Sequence, residues 1–184
     1  MTTLIIVLAI VALLVLFAIF AYNGLVRRRN QVDNAWSQID VQLKRRIDLI
    51  PNLIETVKGY AAHEKETLDA VIRARNAAIA APQTPGAQAQ ADNVLTGALR
   101  QVFALSEAYP DLKANQNFLA LQEELTATEG RVAYARQFYN DAVLGYNNKL
   151  DTFPTMIFAR MFTFVRREYF EADAAAHEVP KVQF

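Results

Sequence analysis

The pattern of apolar and polar positions divides the chain near residue 26. From Leu4 to Val26 no side chain is charged and almost all are apolar, and Arg27, Arg28 and Arg29 follow at once. About 20 apolar residues in a helix span the hydrocarbon core of a bilayer. Residues 4–26 are therefore read as a transmembrane helix, with residues 1–3 as a short extracytoplasmic stub. Tyr22 stands where an interfacial aromatic belongs, and the arginine triplet marks the exit from lipid. A cleaved signal peptide is the competing reading; it has a basic start, an apolar core of about 7–15 residues and a small-residue cleavage site. Met1-Thr2-Thr3 is not basic, the apolar run is longer, and no Ala-x-Ala-like site precedes Arg27, which favours an uncleaved anchor. Basic residues near a span stay on its cytoplasmic side. Arg27–Arg29 and Lys44-Arg45-Arg46 all follow the span, so the N-terminus is expected outside and the rest in the cytoplasm.

Beyond the span, Val32, Trp36, Ile39, Leu43, Ile47, Ile50, Ile54 and Val57 recur at steps of three and four, the period of an amphipathic helix with one buried seam. Ala61, Leu68, Val71 or Ile72, and Ile79 continue the series, so a single helix is expected from Leu4 to Ala81, about 115 Å if straight. Pro51 falls inside it and removes the partner of the Ile47 carbonyl; because the apolar phase does not reset, a bend rather than a break is expected. Pro82-Gln83-Thr84-Pro85-Gly86 reads as a turn, with Thr84 and Pro85 opening a second helix that Tyr109-Pro110-Asp111 closes. A third helix begins near Asn115 or Asn117 and ends at Phe153-Pro154, with a seam from Phe118 through Leu125, Val132, Tyr139 and Tyr146 to Leu150 and Phe153. No segment alternates as a strand does. The fold class is all-α: an N-terminal transmembrane helix continuing into a long-helix antiparallel bundle over residues 27–155.

Residues 156–184 form an amphipathic aromatic tail and an extended C-terminus. Read as a helix, Phe158, Met161, Phe162, Val165 and Tyr169 share a face opposite Arg160, Thr163 and Arg167. That face either caps the bundle, the favoured reading, or lies in a membrane interface. Phe158, Phe162, Tyr169 and Phe170 are the candidate tail contacts, and Val179–Phe184 is expected to be extended and docked.

Composition narrows the chemistry. Nineteen basic and nineteen acidic residues cancel, which leaves no global field to recruit nucleic acid, and the absence of cysteine excludes disulfides and thiolate metal sites. His63-Glu64 begins like a zinc-protease helix, but position 67 is Thr; His177 lies in an alanine-rich tail, and neither His stands three residues after a Glu. Surface helical histidines are the reading. Glu123 and Glu124 are expected to face solvent, and Lys44-Arg45-Arg46 to form salt-bridged helix surface. No catalytic constellation, cofactor or metal site is expected.

Tyr22-Asn23-x-Leu25-Val26, Arg29-Asn30-x-Val32-x-Asn34-Ala35-Trp36-Ser37-Gln38-Ile39-Asp40-Val41-Gln42-Leu43-Lys44-Arg45-Arg46, Asp48-Leu49-Ile50-Pro51-Asn52-Leu53, Glu55-Thr56-Val57-Lys58-Gly59-Tyr60-Ala61 and His63-Glu64 strongly resemble the LemA family. Weaker motifs follow at Tyr139-Asn140, Tyr146-Asn147, Phe153-Pro154, Tyr169-Phe170-Glu171 and Pro180-Lys181-Val182-x-Phe184. Near Met161–Arg167 the chain departs from the family's glycine and proline-containing loop, which strengthens the helical reading of the tail. The resemblance implies a bacterial single-pass inner-membrane protein with a helical cytoplasmic domain and no established activity; one branch is associated with magnetosome membranes. The dense motif makes Trp36, Asp40, Arg45, Arg46, Asp48, Pro51, Asn52 and Glu55 a candidate interaction seam, beside the anchor and interface residues Leu4, Tyr22, Val26 and Arg27–Arg29. The functional expectation is a non-enzymatic scaffold that touches membrane lipids and homo-oligomerises through its long first helix. The alternative is a monomeric adaptor or accessory subunit for a membrane protease or envelope-stress system, bound to an unidentified membrane protein.

Overall fold

The computed structural model describes residues 1–171, so the expected docking of Val179–Phe184 lies outside the described residues. Among the described residues the chain is all-α: α1 (Thr2–Lys58), α2 (Lys65–Ala80), α3 (Pro85–Ser106), α4 (Pro110–Lys113), α5 (Gln116–Asp151) and α6 (Thr155–Met161). Two compact units form. The first holds Met1–Ser37 with Phe138–Glu168, and the second holds Gln38–Gln137 with, among the described residues, 169–171. Helices α1 and α5 each contribute to both.

In the first unit, α1 is exposed on every side from Leu4 to Phe17 and has a buried face only from Ala21 onward. Ala21, Leu25, Val32 and Ala35 of α1 are buried, as are Tyr139, Val143, Tyr146 and Leu150 of α5 and Thr155 and Ala159 of α6. Burial at intervals of three and four along α1 and α5 is the seam that their periodicity specifies. Trp36 and Tyr139 join it with their ring centroids 5.7 Å apart. Phe153, expected on the α5 seam, is instead exposed beyond the helix end, next to a cis bond to Pro154.

The second unit is closed by Ile50, Leu53 and Val57 of α1, Leu68 and Val71 of α2, Leu95, Leu99 and Val102 of α3, Leu112 of α4, and Phe118 and Leu125 of α5. Here the expectation of one helix to Ala81 fails: α1 ends at Lys58 and α2 starts at Lys65. Gly59 weakens the helix by about 1 kcal/mol relative to alanine. The turn after it is held by tertiary bonds: Asn115 Nδ2 donates to the Tyr60 hydroxyl at 2.8 Å, and the Tyr109 hydroxyl donates to Glu64 at 2.8 Å. Ala61, Leu68 and Val71 are buried as their spacing requires, on a helix that folds back instead of running on. His63 is exposed in this turn rather than on a helix.

Pro51 lies inside α1, and the helix runs through it unbroken. The missing Pro51 N–H frees the carbonyl of Ile47. Arg75 of α2 supplies the replacement, its Nε donating to that oxygen at 3.2 Å. At the next turn Pro85 takes the first position of α3 behind Thr84, as the sequence indicates, and the buried Gln88 amide donates to the Ala81 and Pro82 carbonyls at 3.2 and 3.3 Å. Asn115 caps α5 by accepting from the Phe118 N–H at 3.0 Å. The four-residue α4 was not evident from the pattern.

A double-mutant cycle tests the proline–arginine pairing. Arg75→Ala is expected to destabilise the chain by about 1.5–3 kcal/mol, the range for a hydrogen bond from a charged donor. In a Pro51→Ala background, where Ile47 regains a helical partner, most of that loss should vanish. Equal losses in both backgrounds, measured by denaturant unfolding in detergent, would contradict the assignment.

Candidate functional site

The part of the first unit next to the candidate membrane span gathers aromatic residues that the sequence singles out. Leu4 is exposed within the uncovered stretch, Val26 is half-buried, and Arg27–Arg29 are exposed directly after the span. Phe17 meets Phe158 of α6 with ring centroids 5.8 Å apart. Tyr22 meets Phe162 edge-on at 5.0 Å and Phe164 at 5.8 Å, and the Arg29 guanidinium lies 5.7 Å from the Phe164 ring centroid. Such contacts each contribute on the order of 1 kcal/mol beyond burial.

The tail is not one helix. α6 stops at Met161, and Thr163 follows with φ 54°, in the left-handed region that β-branched residues rarely enter. From Phe164 to Glu171 the chain has no helical bonding. The physical reason is a set of side-chain clamps from α5 that bind this segment's backbone. Asn147 is buried and uses both ends of its amide: Nδ2 donates to the Arg167 carbonyl at 3.0 Å, and Oδ1 accepts from the Arg167 N–H at 2.9 Å. The Tyr146 hydroxyl donates to the Val165 carbonyl at 3.0 Å and the Tyr139 hydroxyl to the Glu168 carbonyl at 2.8 Å. Burial pushes the Tyr139 hydroxyl up to about 12, against the opposing pull of Arg167, so it remains a donor at neutral pH. Arg167 pairs with Asp33 at 2.7 Å and Arg166 with Asp151 at 2.5 Å. Periodicity could not reveal this strap, because its bonds replace the helical ones. The signal was the Tyr139-Asn140 and Tyr146-Asn147 pairs, one heptad apart on α5.

Of the tail contacts, Phe158 and Phe162 belong to the first unit. Tyr169 and Phe170 belong to the second, where Phe170 is buried with Arg136 lying 5.9 Å from its ring centroid.

The dense motif on α1 separates into a buried and an exposed part. Arg46, expected on the surface, is 2% exposed in the second unit. Its Nη1 donates to Asp92 at 2.8 Å and to Thr96 at 2.9 Å, and Nη2 lies 3.5 Å from Glu129. Burial raises the Asp92 carboxyl above the usual range more than Arg46 lowers it. Removing one partner of a buried pair generally costs about 3–5 kcal/mol, because the other charge is left without compensation. Arg45 pairs with Glu124, which is half-buried rather than facing solvent and also lies 3.7 Å from Arg131. Asp40 holds Lys44 at 2.6 Å, as expected of a helix surface. Asp48, Pro51, Asn52 and Glu55 are exposed along one side of α1, and Trp36 lies in the first unit. The proposed seam is therefore not one site. Asp92, Thr96 and Glu129, which pair with the buried Arg46, and Arg75, which bonds the Ile47 carbonyl, carry no spacing signal, because each meets α1 only through the tertiary fold.

These features define a class: a helical protein with one N-terminal apolar helix that is a candidate membrane span, and a polar core bonded for structure. Comparison with known proteins narrows the class. A family model described as the LemA family matches residues 35–184, and the chain belongs to that family. It is 29% identical over 154 residues to Protein LemA of Metamycoplasma hominis, covering 82% of this chain and 68% of that protein. It is also 24% identical over 179 residues to the magnetosome proteins MamQ 1 and MamQ 2 of Paramagnetospirillum magneticum, with 84% of this chain and 66% of each relative covered. The chain thus spans about two thirds of the length of the relatives it matches.

Asn147→Ala removes both side-chain bonds to the Arg167 backbone, each a loss of about 0.5–1.5 kcal/mol. The expected outcome is faster trypsin cleavage after Arg166 and Arg167, with Asn147→Asp, which keeps the acceptor, intermediate. Unchanged cleavage in Asn147→Ala would show that the amide does not hold the strap.

Proposed function

We propose that this protein is a membrane-anchored, non-enzymatic helical scaffold that self-associates through its first helix. The observation that carries the anchoring is the stretch from Leu4 to Leu16, apolar and exposed at every position. Exposed apolar area of that extent is unstable in water and requires lipid or another apolar surface. The arginines after it favour a bacterial inner-membrane location with the bulk of the chain in the cytoplasm.

The scaffold reading draws support from how the buried polar groups are used. Arg46, Arg75, Asn147, Tyr139 and Tyr146 direct their bonds to backbone or to structural ion pairs. Self-association through α1 falls to the Leu4–Phe20 segment, since from Val32 to Val57 the seam is covered by the chain's own helices. One observation favours the adaptor reading. Asp48, Asn52 and Glu55 face solvent beside Pro51, a polar row available to a foreign protein. The magnetosome names of two relatives fit a protein that works at a membrane.

Light scattering of detergent-solubilised full-length protein at micromolar concentration separates these readings. The scaffold reading expects a discrete oligomer that dissociates when Leu8, Val11 and Val15 are changed together to alanine. A strictly monomeric species would contradict it and favour the adaptor.

A further inference from the structure

We propose that α6 forms a second membrane contact: its outer edge, Ile157 and Met161 with Phe162, inserts into the leaflet from which the first helix emerges. This rests on the anchoring of α1 proposed above. The argument begins with depth. Phe17 lies five residues before the interfacial Tyr22 and ten before Arg27. At 1.5 Å per residue it sits about 7 Å below the first marker and about 15 Å below the second. Whichever residue defines the interface, Phe17 is on its lipid side. Phe158 packs on Phe17, and Phe162 packs on Tyr22, within one compact unit. α6 is thereby held at the depth that interfacial helices occupy, about 5–10 Å into the boundary between headgroups and acyl chains.

The side chains of α6 match that placement. Thr155 and Ala159 are buried toward the unit. Ile157 and Met161, on the opposite side, are 51% and 61% exposed, and Phe162 is 45% exposed. Ile157 and Met161 are chain neighbours of Phe158 and Phe162, whose rings meet Phe17 and Tyr22 of the apolar part of α1. Their occupant is lipid, because the same surface on α1 meets lipid at the same level. Charge agrees. Arg27, Arg28, Arg29 and Arg160 are exposed, suited to anionic headgroups, whereas Arg166 and Arg167 are occupied by Asp151 and Asp33. Arg160 has the long stem that lets a cation reach headgroups from a helix lying below them. The strap returns the chain from this level, and the Asn147, Tyr146 and Tyr139 clamps fix its path.

The chain has no cysteine, so single cysteines report position without background. Full-length protein with Ile157→Cys or Met161→Cys is labelled with an environment-sensitive fluorophore. It is then reconstituted in phosphatidylcholine vesicles with about 30% phosphatidylglycerol. Leu13→Cys marks the anchor and Glu123→Cys the water-facing second unit. The expected result is that the Ile157 and Met161 labels are quenched by shallow spin-labelled lipid at least about twofold more than the Glu123 label. They should also be shielded from iodide. If they behave like the Glu123 label while the Leu13 label is quenched by lipid, the α6 contact is wrong and the anchor stands. If the Leu13 label is itself open to iodide, the anchor reading fails and the proposal falls with it.

Discussion

The structure depends on one desolvation problem. Helix α1 begins with more than three turns of apolar side chains that no other part of the described chain covers, and the same helix continues without a break through Arg27–Arg29 to Lys58. A backbone with every hydrogen bond made internally is the one arrangement by which a single segment can sit in hydrocarbon. Because the helix does not break at the arginines, the anchor and the bundle share an element. Its continuation past Arg29 supplies the axis on which α5 and α6 assemble in the first unit.

A protein made of helices satisfies most of its backbone locally and has few ways to fix loops and breaks. Here buried polar side chains supply them. Arg75 replaces the bond that Pro51 removes, Asn115 and Gln88 close helix ends, and Asn147 substitutes for a neighbouring strand along the strap. Arg46, like Asn147, is only 2% exposed, and its partners Asp92 and Thr96 come from α3 with Glu129 from α5. Its value lies in register: only one alignment of those helices pairs the charges, while apolar surfaces tolerate several.

Much of this was legible in the sequence. The apolar N-terminal helix, the α5 seam and the turn at Pro82–Gly86 follow from period and punctuation, since apolar residues at steps of three and four must share a face. The end of α1 was not legible, because Ala61, Leu68 and Val71 keep the helical phase across a turn held by Tyr60 and Glu64. The strap was hidden for a related reason: Phe158, Met161, Phe162 and Val165 carry a helical period, yet Thr163 turns left-handed and α5 takes over the backbone bonds. Arg46 illustrates a third kind of miss. A cation between other cations reads as surface, and only the carboxylates from distant helices make its burial tolerable. The motifs that carry the family likeness include Tyr146-Asn147 and Arg46, without saying what each one does.

Alkaline carbonate extraction of bacterial membranes containing the full-length chain tests the central claim most directly, since it strips peripheral proteins and leaves lipid-embedded helices in place. The account predicts that the protein stays in the membrane pellet, and that it moves to the supernatant when Leu8, Val11 and Leu14 are replaced by lysine. Release of the unaltered chain into the supernatant as a soluble species would contradict it.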